Sequence, residues 1–235
     1  MVTRSLPPLP FFLAQILIFL VAGPGRRAVT ARLHCFGESG NAYKAALTLT
    51  LCGIEWEPVF VDFFNGGSRT PEYRAVNLMA EVPALEVEGR VLTQSGVIQL
   101  WAAERTGRFL GDRDEALRWV FFDNHKVSSH AGALRFHMNF LAPDKREPAV
   151  IDWLKGRLAS AYRVMESRLS ESEWLAGPEP TIGDLACCGY LHYPEPFGFD
   201  RVEWPAIDAW LGRIEALPGW KHPYDMMPGR PSDRA

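Results

Sequence analysis

The spacing of apolar residues divides this chain into two parts. Before residue 100, short segments rich in β-branched and aromatic residues predict strands over residues 32–36, 55–63, 82–87 and 90–93. After residue 115, apolar positions recur every three or four residues, which is the spacing of helices with one buried face. The pattern therefore predicts an α/β part followed by an all-helical part.

Helical segments separate the predicted strands of the first part. An apolar run over residues 42–52 predicts a helix, and Gly53 suits the position just past its end. Thr70 and Pro71 mark the start of a short second helix, and a third helix is predicted to begin near Ser95. A strand, a helix and a strand in succession favour a parallel pair, and the last two strands form a hairpin.

Two long helices are predicted in the second part, over residues 115–140 and 148–169, after a linker at residues 107–114. Further along the chain, Thr181 and Asp184 have the Thr-x-x-Asp spacing of a capping box. In such a box each side chain accepts a hydrogen bond from the other residue's backbone N–H group. We predict a structural role for both residues at the start of a helix.

Composition narrows the function classes. The 235 residues are 47% hydrophobic and carry a net charge of −3, which gives no basic excess for nucleic-acid binding. The four cysteines and six histidines show no metal-ligand spacing, so no metal site is predicted. Because Cys187 and Cys188 are adjacent, a routine structural disulfide is not expected, and we predict buried free thiols in a reducing compartment.

Two loops carry the candidate chemistry. Ser39 lies just before the helix predicted at residues 42–52, so its hydroxyl can cap that helix or donate a hydrogen bond to a ligand sulfur. The Val82–Pro83 bond is a candidate for the cis isomer, which is almost confined to prolyl bonds. Ser95 lies at a predicted helix start, where unpaired N–H groups suit a carboxylate. These positions favour a small anionic ligand, with an ordinary hairpin and capping serines as the alternative.

The segment from Val82 to Ile98 resembles the glutathione-binding half of the cytosolic glutathione transferases, of the bacterial type. In that family a cis-proline loop and a Gln-Ser or Glu-Ser pair hold the tripeptide. The resemblance implies that the backbone of Val82, ahead of Pro83, pairs with the cysteinyl part of glutathione. It also implies that Gln94 and Ser95 hold the γ-glutamyl carboxylate.

The string Ser-Gly-Asn-x-Tyr-Lys, which begins at Ser39, also looks like one found in bacterial members of this family. The resemblance implies that Ser39 contacts the glutathione sulfur. Asn41 is the rival for this role, and Tyr43 remains a further candidate. A hydroxyl donor and the positive end of a helix dipole both favour the thiolate, which is the nucleophilic form. No general base is then required.

The resemblance also implies the architecture of the family. A thioredoxin-like, glutathione-binding domain is expected over residues 31–108, and an all-helical domain over residues 115–228, with a homodimer as the assembly. A pocket for a second substrate would lie between the loop at Ser39 and the first helices of the second domain. Its candidate lining residues are Arg135, Phe136 and Phe140.

A glutathione S-transferase is the implied function, with glutathione as co-substrate and an electrophilic, hydrophobic small molecule as its partner. The enzyme alternative is glutathione-dependent reduction of peroxides or disulfides, because the same thiolate can attack a different electrophile. A transferase-fold binding protein without turnover is a third interpretation. It is favoured by Glu81, which replaces the usual lysine or glutamine beside the glycine end of glutathione, and by a loop at residues 77–83 that lacks the family's first proline and its glycine.

Residues 1–30 precede the resemblance and are not expected to belong to the fold. Residues 11–23 form an apolar run that is short for a membrane span, which takes about 20 residues, but long enough for a signal-peptide core. We expect a translation start upstream of the true one or a dispensable tail, and hence a cytoplasmic protein. The alternative is a membrane anchor or export through residues 4–23, and only a retained segment would contact a membrane.

Overall fold

The structure is a computed structural model that describes residues 31–231, and within this range it contains a four-stranded mixed sheet. The strand order is β2-β1-β3-β4, with β1 and β2 parallel and the other two pairs antiparallel. The extension predicted over residues 1–30 lies outside the described residues. The strands are β1 (Ala31–Cys35), β2 (Trp56–Phe60), β3 (Ala84–Val87) and β4 (Arg90–Thr93).

The parallel pair and the terminal hairpin follow the prediction, but β2 is shorter than the predicted strand over residues 55–63. The chain turns at Asp62, whose backbone carbonyl accepts a hydrogen bond from Gly67 N at 2.7 Å. The Asp62 carboxylate also accepts hydrogen bonds from the Asn65 side chain at 2.9 and 3.1 Å. Gly66 completes the turn with a φ of 82°, a conformation that glycine adopts without strain.

Three helices accompany the sheet: α1 (Gly40–Leu51), α2 (Pro71–Val76) and α3 (Ser95–Thr106). Helix α1 begins two residues before the prediction, because Ser39 caps it. Nearly every side chain of α1 is buried, since the helix packs against β1, α3 and the helical part at once. A helix that is apolar on all sides requires such enclosure.

The helical part begins at Arg113, and its predicted first helix over residues 115–140 is not one continuous α-helix. It is interrupted by two π-helical turns, at Asp123–Ser128 and Phe136–Phe140. The first of these turns brings Asp123 inside, where it is fully buried and paired with Lys44. The α-helices of this part are α4 (Arg113–Phe122), α5 (Ser129–Arg135), α6 (Pro148–Leu169), α7 (Ile182–Cys187), α8 (Pro205–Glu215) and α9 (Pro223–Met226).

A capping box is present at the start of α7. Asp184 accepts hydrogen bonds from Thr181 N at 2.9 Å, Leu175 N at 2.8 Å and Trp210 Nε1 at 3.0 Å. The Thr181 hydroxyl accepts a hydrogen bond from Gly183 N at 3.1 Å. Since Asp184 is fully buried, its carboxylate ties α7 to the preceding loop and to α8.

The two parts share one buried core, which extends from Leu33 in the sheet through α1 to Trp119, Tyr162 and Trp210 in the helical part. The observed sheet and helices confirm a thioredoxin-like α/β part followed by a helical part. The domain boundaries remain a prediction. Among residues 31–231, no helix combines the length and the apolar character that crossing a bilayer requires.

Candidate functional site

The site begins at the N-terminus of α1. Ser39 has extended backbone geometry and is the N-cap, with its Oγ accepting a hydrogen bond from Ala42 N at 3.1 Å. The hydroxyl hydrogen is still able to donate, because accepting a bond uses only a lone pair. The next residue, Gly40, packs against the ring of Tyr190. A Cβ at this position would lie 2.6 Å from that ring, so the packing requires glycine.

Ser39 opens onto a cleft of about 340 Å³ between the two parts of the molecule. Aromatic side chains dominate its walls: Phe36 stacks on Phe63 at a centroid distance of 4.9 Å, and Phe64 packs on Phe140 at 4.9 Å. Phe63 and Phe136 remain 36% and 42% exposed. A wall rich in aromatic side chains, with polar groups at one side, suits a ligand that is largely apolar. The full lining is Phe36, Glu38, Ser39, Asn41, Phe63, Phe64, Glu81, Val82, Gly132, Arg135, Phe136, Phe140 and Tyr190.

A smaller, polar recess of about 40 Å³ lies beside this aromatic cleft. Part of its wall is the loop that leads into β3, in which the Val82–Pro83 peptide bond is cis. Ser95 is the first residue of α3 and is buried, whereas Gln94 is exposed. The recess is lined by Asn41, Asn77, Glu81, Val82, Pro83, Gln94, Ser95 and Asn124. The structure therefore brings together the four residues predicted to hold glutathione, and their role in binding stays a prediction.

Asn41 lines both cavities. Its Oδ1 atom accepts a hydrogen bond from Lys44 Nζ at 2.9 Å. Tyr43, the remaining candidate for contact with the sulfur, is fully buried, and its hydroxyl donates to the backbone carbonyl of Lys221 at 2.9 Å. Burial raises the pKa of the Tyr43 phenol. The geometry thus leaves Ser39 and Asn41 facing the cavities and directs the Tyr43 hydroxyl elsewhere.

Glu81 also lines both cavities, and its carboxylate accepts a hydrogen bond from Gln94 Nε2 at 3.3 Å. The loop of residues 77–83 departs from the family pattern, but hydrogen bonds hold it in place. The backbone carbonyl of Glu81 accepts hydrogen bonds from the Tyr73 hydroxyl and from Asn77 Nδ2, both at 2.8 Å. These two side chains hold the loop at Glu81.

Arg135 contributes to the cleft wall, but its charge is used within the protein. The guanidinium is 1% exposed and pairs with Glu38 and Glu195, each at 2.6 Å. It also donates to the backbone carbonyl of Glu38 at 2.8 Å and to the Tyr224 hydroxyl at 2.9 Å. Both carboxylates are therefore engaged with this cation. Because its partners are Glu38 on one side and Glu195 and Tyr224 on the other, Arg135 ties the loop before Ser39 to the C-terminal segment.

The cysteine thiols lie away from both cavities. All four cysteines are free and buried, and none is among the described residues that line the cleft or the recess. Burial raises the pKa of Cys35 to about 12 and also raises that of Cys187, which disfavours their thiolates. Among residues 31–231, the structure shows no group of three or more side chains suited to hold a metal ion.

Comparisons with known proteins place this architecture in a family. The N-terminal domain model of glutathione S-transferases matches residues 39–105, and the C-terminal domain model matches residues 130–218. The chain belongs to the glutathione S-transferase family. The family and the fold class predicted from the sequence motifs are thereby confirmed.

Relatives within the family carry different names. A possible glutathione S-transferase from Rhodopseudomonas palustris is 36% identical, with a TM-score of 0.76 over 82% of this chain and 97% of that one. The disulfide-bond oxidoreductase YfcG of Escherichia coli is 28% identical over 78% of this chain and 89% of its own length. The transcriptional regulator URE2 of Saccharomyces cerevisiae is 26% identical over 76% of this chain and 63% of its own. Family membership therefore leaves the specific activity open.

Sequence reasoning missed several residues of the site. Asn124 lies on a π-helical turn of the helical part, and no local pattern connects it with the recess. The sequence pattern includes Asn77 only as the first residue of the altered loop at residues 77–83. Phe63 and Phe64 follow the observed end of β2, whereas the sequence pattern places Phe63 inside the predicted strand over residues 55–63, so two adjacent aromatic residues were the one available signal.

Proposed function

We propose that this protein is a glutathione transferase, which binds glutathione across the polar recess and directs its thiol into the aromatic cleft. The observation that supports the proposal most strongly is the wall that the two cavities share. Asn41, Glu81 and Val82 line both of them, and Ser39 lies in the cleft beside this shared wall. A ligand thiol held at this junction would face an apolar substrate.

The recess fits the proposed co-substrate. The Val82 backbone next to the cis-proline would pair with the cysteinyl residue of glutathione. Ser95, at the N-terminus of the 12-residue helix α3, and Gln94 would hold the γ-glutamyl carboxylate. Of the described residues that line the recess, none is cationic, so recognition of this carboxylate rests on neutral donors.

The chemistry follows from the donors around Ser39. A free thiol has a pKa of about 8.5, and each unit by which the site lowers it corresponds to about 1.4 kcal/mol of preferential stabilisation of the thiolate. The Ser39 hydroxyl, the Asn41 amide and the start of α1 supply that stabilisation. The thiol proton leaves to solvent. The sulfur electron pair then forms a bond to an electrophilic carbon, and a leaving group departs with its own electron pair.

A second candidate activity is glutathione-dependent disulfide reduction, which is favoured by the similarity to YfcG. The thiolate would then attack a sulfur atom of the disulfide, form a mixed disulfide and release a thiolate. A second glutathione would resolve the mixed disulfide and leave oxidised glutathione. Because the protein's cysteines are buried, both electrons come from glutathione. Peroxide reduction would differ only in the electrophile.

A binding protein without turnover is the third candidate. It is favoured by the negative charge of Glu81 at the shared wall and by the similarity to URE2. Such a protein would bind a ligand in the cleft but would not consume glutathione with any electrophile.

The test is a glutathione titration of the full chain by calorimetry, with the ultraviolet absorbance of the bound thiolate followed against pH. Turnover is then measured with an aryl chloride activated by nitro groups and with a small organic disulfide. We expect binding, a thiol pKa below that of free glutathione and turnover of the aryl chloride. Ser160→Ala, an exposed change on α6, is the matched control. Turnover of the disulfide alone would favour the reductase, and binding without turnover would favour the third candidate.

A further inference from the structure

A buried ion pair lies next to Asn41, which lines both cavities. Lys44 of α1 pairs with Asp123 of the first π-helical turn, and the two side chains are 0% and 1% exposed. Each comes from a different part of the molecule. A buried pair of this kind is weak evidence for stability, because removing two charges from water costs about as much as their attraction returns.

Lys44 determines the orientation of the Asn41 side chain. The Lys44 ammonium donates to Asn41 Oδ1 at 2.9 Å, and an ammonium group has no acceptor. The oxygen of the amide must therefore face Lys44, which turns the Asn41 Nδ2 hydrogens away from it. Since Asn41 lines both cavities, these hydrogens are available to a ligand atom there.

The Lys44 side chain has little freedom to move. A Cβ at Gly189 would lie 2.6 Å from Lys44 Cγ and 2.7 Å from its Cε, so the backbone of Gly189 packs directly on the lysine stem. The lysine stem therefore occupies the space that a side chain at position 189 would need. The glycine is thus required for the position of the lysine.

Asp123 acts in a similar way on the other wall. Its second oxygen, Oδ1, accepts a hydrogen bond from Ser128 Oγ at 2.8 Å, which closes the π-helical turn on itself. Asn124 is the next residue of that turn and also lines the polar recess. One ion pair therefore supports two of the four amide side chains that line the recess.

We propose that the Lys44–Asp123 pair is a positioning device for the thiol site. Lys44 holds the Asn41 amide with its N–H groups toward the ligand sulfur, and Asp123 anchors the turn that carries Asn124. This inference rests on the proposed function, because it assigns a task to residues around a bound glutathione thiol. Lys44 and Asp123 act through the two asparagines and do not touch the reacting atoms.

The first test concerns Asn41 and leaves the buried pair intact. The pKa of bound glutathione is measured by thiolate absorbance in the wild type, Asn41→Ala and Asn41→Asp. If the amide nitrogen faces the sulfur, Asn41→Ala raises the thiol pKa by about one unit, a tenfold loss of thiolate below the pKa. Asn41→Asp raises it further, because a carboxylate beside Lys44 stays charged and repels the thiolate. An unchanged or lowered pKa in Asn41→Ala would overturn the assignment.

The second test concerns the pair itself. Lys44→Met and Asp123→Asn are combined, so that no buried charge is left without a partner. We expect this double variant to raise the pKa of the bound thiol by about one unit in the wild-type background. In the Asn41→Ala background the same change has little further effect, because the residue through which Lys44 acts is gone. A purely structural role predicts equal shifts in both backgrounds and would overturn the inference.

The two proposals fail in different ways. A wild-type protein that binds no glutathione, or binds it without lowering the thiol pKa, contradicts the proposed function and the inference together. A wild type that forms the thiolate, with equal pKa shifts in both backgrounds, contradicts the inference alone. If the double variant loses cooperative unfolding in urea, the order of thiol pKa values in the Asn41 series decides the question.

Discussion

Replacing Ser39 by alanine separates two tasks of one hydroxyl. Ser39 Oγ accepts the hydrogen bond of Ala42 N at 3.1 Å, so its loss removes the N-cap of α1 and destabilises the fold by about 1 kcal/mol. For a chain of this size we expect a fall in Tm of about 2–4 °C. The second task is donation to the bound thiolate, which the cap does not require.

The loss of that donation is expected to appear in the thiol pKa. A hydrogen bond to a charged group contributes about 1.5–3 kcal/mol, and Ser39 is only 7% exposed, so little water replaces the lost hydroxyl. We expect the pKa of bound glutathione to rise by about one unit in Ser39→Ala. Turnover at a pH below this pKa then falls about tenfold, whereas glutathione affinity changes little.

The assay combines urea unfolding with thiolate absorbance against pH, on the wild type and three variants. Ser39→Thr keeps both tasks and should resemble the wild type. Ser39→Asp keeps a good cap but replaces the donor with a negative charge, so it should retain stability and lose the thiolate. If Ser39→Ala loses stability while the thiol pKa stays unchanged, Ser39 is a capping residue only and Asn41 carries the activation.

Three further predictions concern residues around the site and in the core. Ala80 has a φ of 56°, so Ala80→Gly should stabilise the protein in urea by about 0.5–1 kcal/mol, and an unchanged midpoint would contradict strain at this residue. Glu81→Gln should strengthen glutathione binding about threefold at low salt and less at high salt, whereas weaker binding would show that the carboxylate assists it. The hydrogen bond from His192, together with Arg201, lowers the pKa of Glu215 to about 2, so its contribution to stability is complete above the ordinary glutamate pKa and is lost as pH falls toward 2. Glu215→Gln should therefore reduce the acid-induced loss of stability between pH 5 and 2 by about 1 kcal/mol after solvent screening, as measured by urea unfolding at each pH.

Local patterns predicted the elements whose burial is regular. Helix α6 begins and ends at the predicted residues 148 and 169, because its apolar stripe keeps one spacing throughout. The same reasoning did not predict the π-helical turns within residues 115–140. A π-helical turn adds about one residue per turn and so rotates the stripe, and a buried aspartate such as Asp123 gives no apolar signal. Only the partner Lys44, far away in sequence, explains why that carboxylate lies inside.

The residues of the site likewise differ in how far the sequence could predict them. Val82, Pro83, Gln94 and Ser95 lie within one hairpin and the helix after it, so a short motif was enough to predict that they meet. Asn124 reaches the recess only because the helical part docks on α1, and that docking depends on contacts between residues distant in sequence. The orientation of the Asn41 side chain could not be predicted from the sequence either, because the hydrogen bond from Lys44 defines the direction of its amide.

The loop before Val82 shows why a departure from a motif does not by itself imply a lost site. The missing glycine corresponds to Ala80, which adopts the left-handed conformation regardless, and hydrogen bonds from Tyr73 and Asn77 to the Glu81 carbonyl hold the loop without the first proline. The Val82–Pro83 peptide bond is cis. What the departure does change is charge, because Glu81 adds a carboxylate to a recess that has no cationic side chain among its described lining residues. Under the proposed function, the sequence change therefore bears on which thiol peptide would bind, and how tightly, more than on whether the site can form.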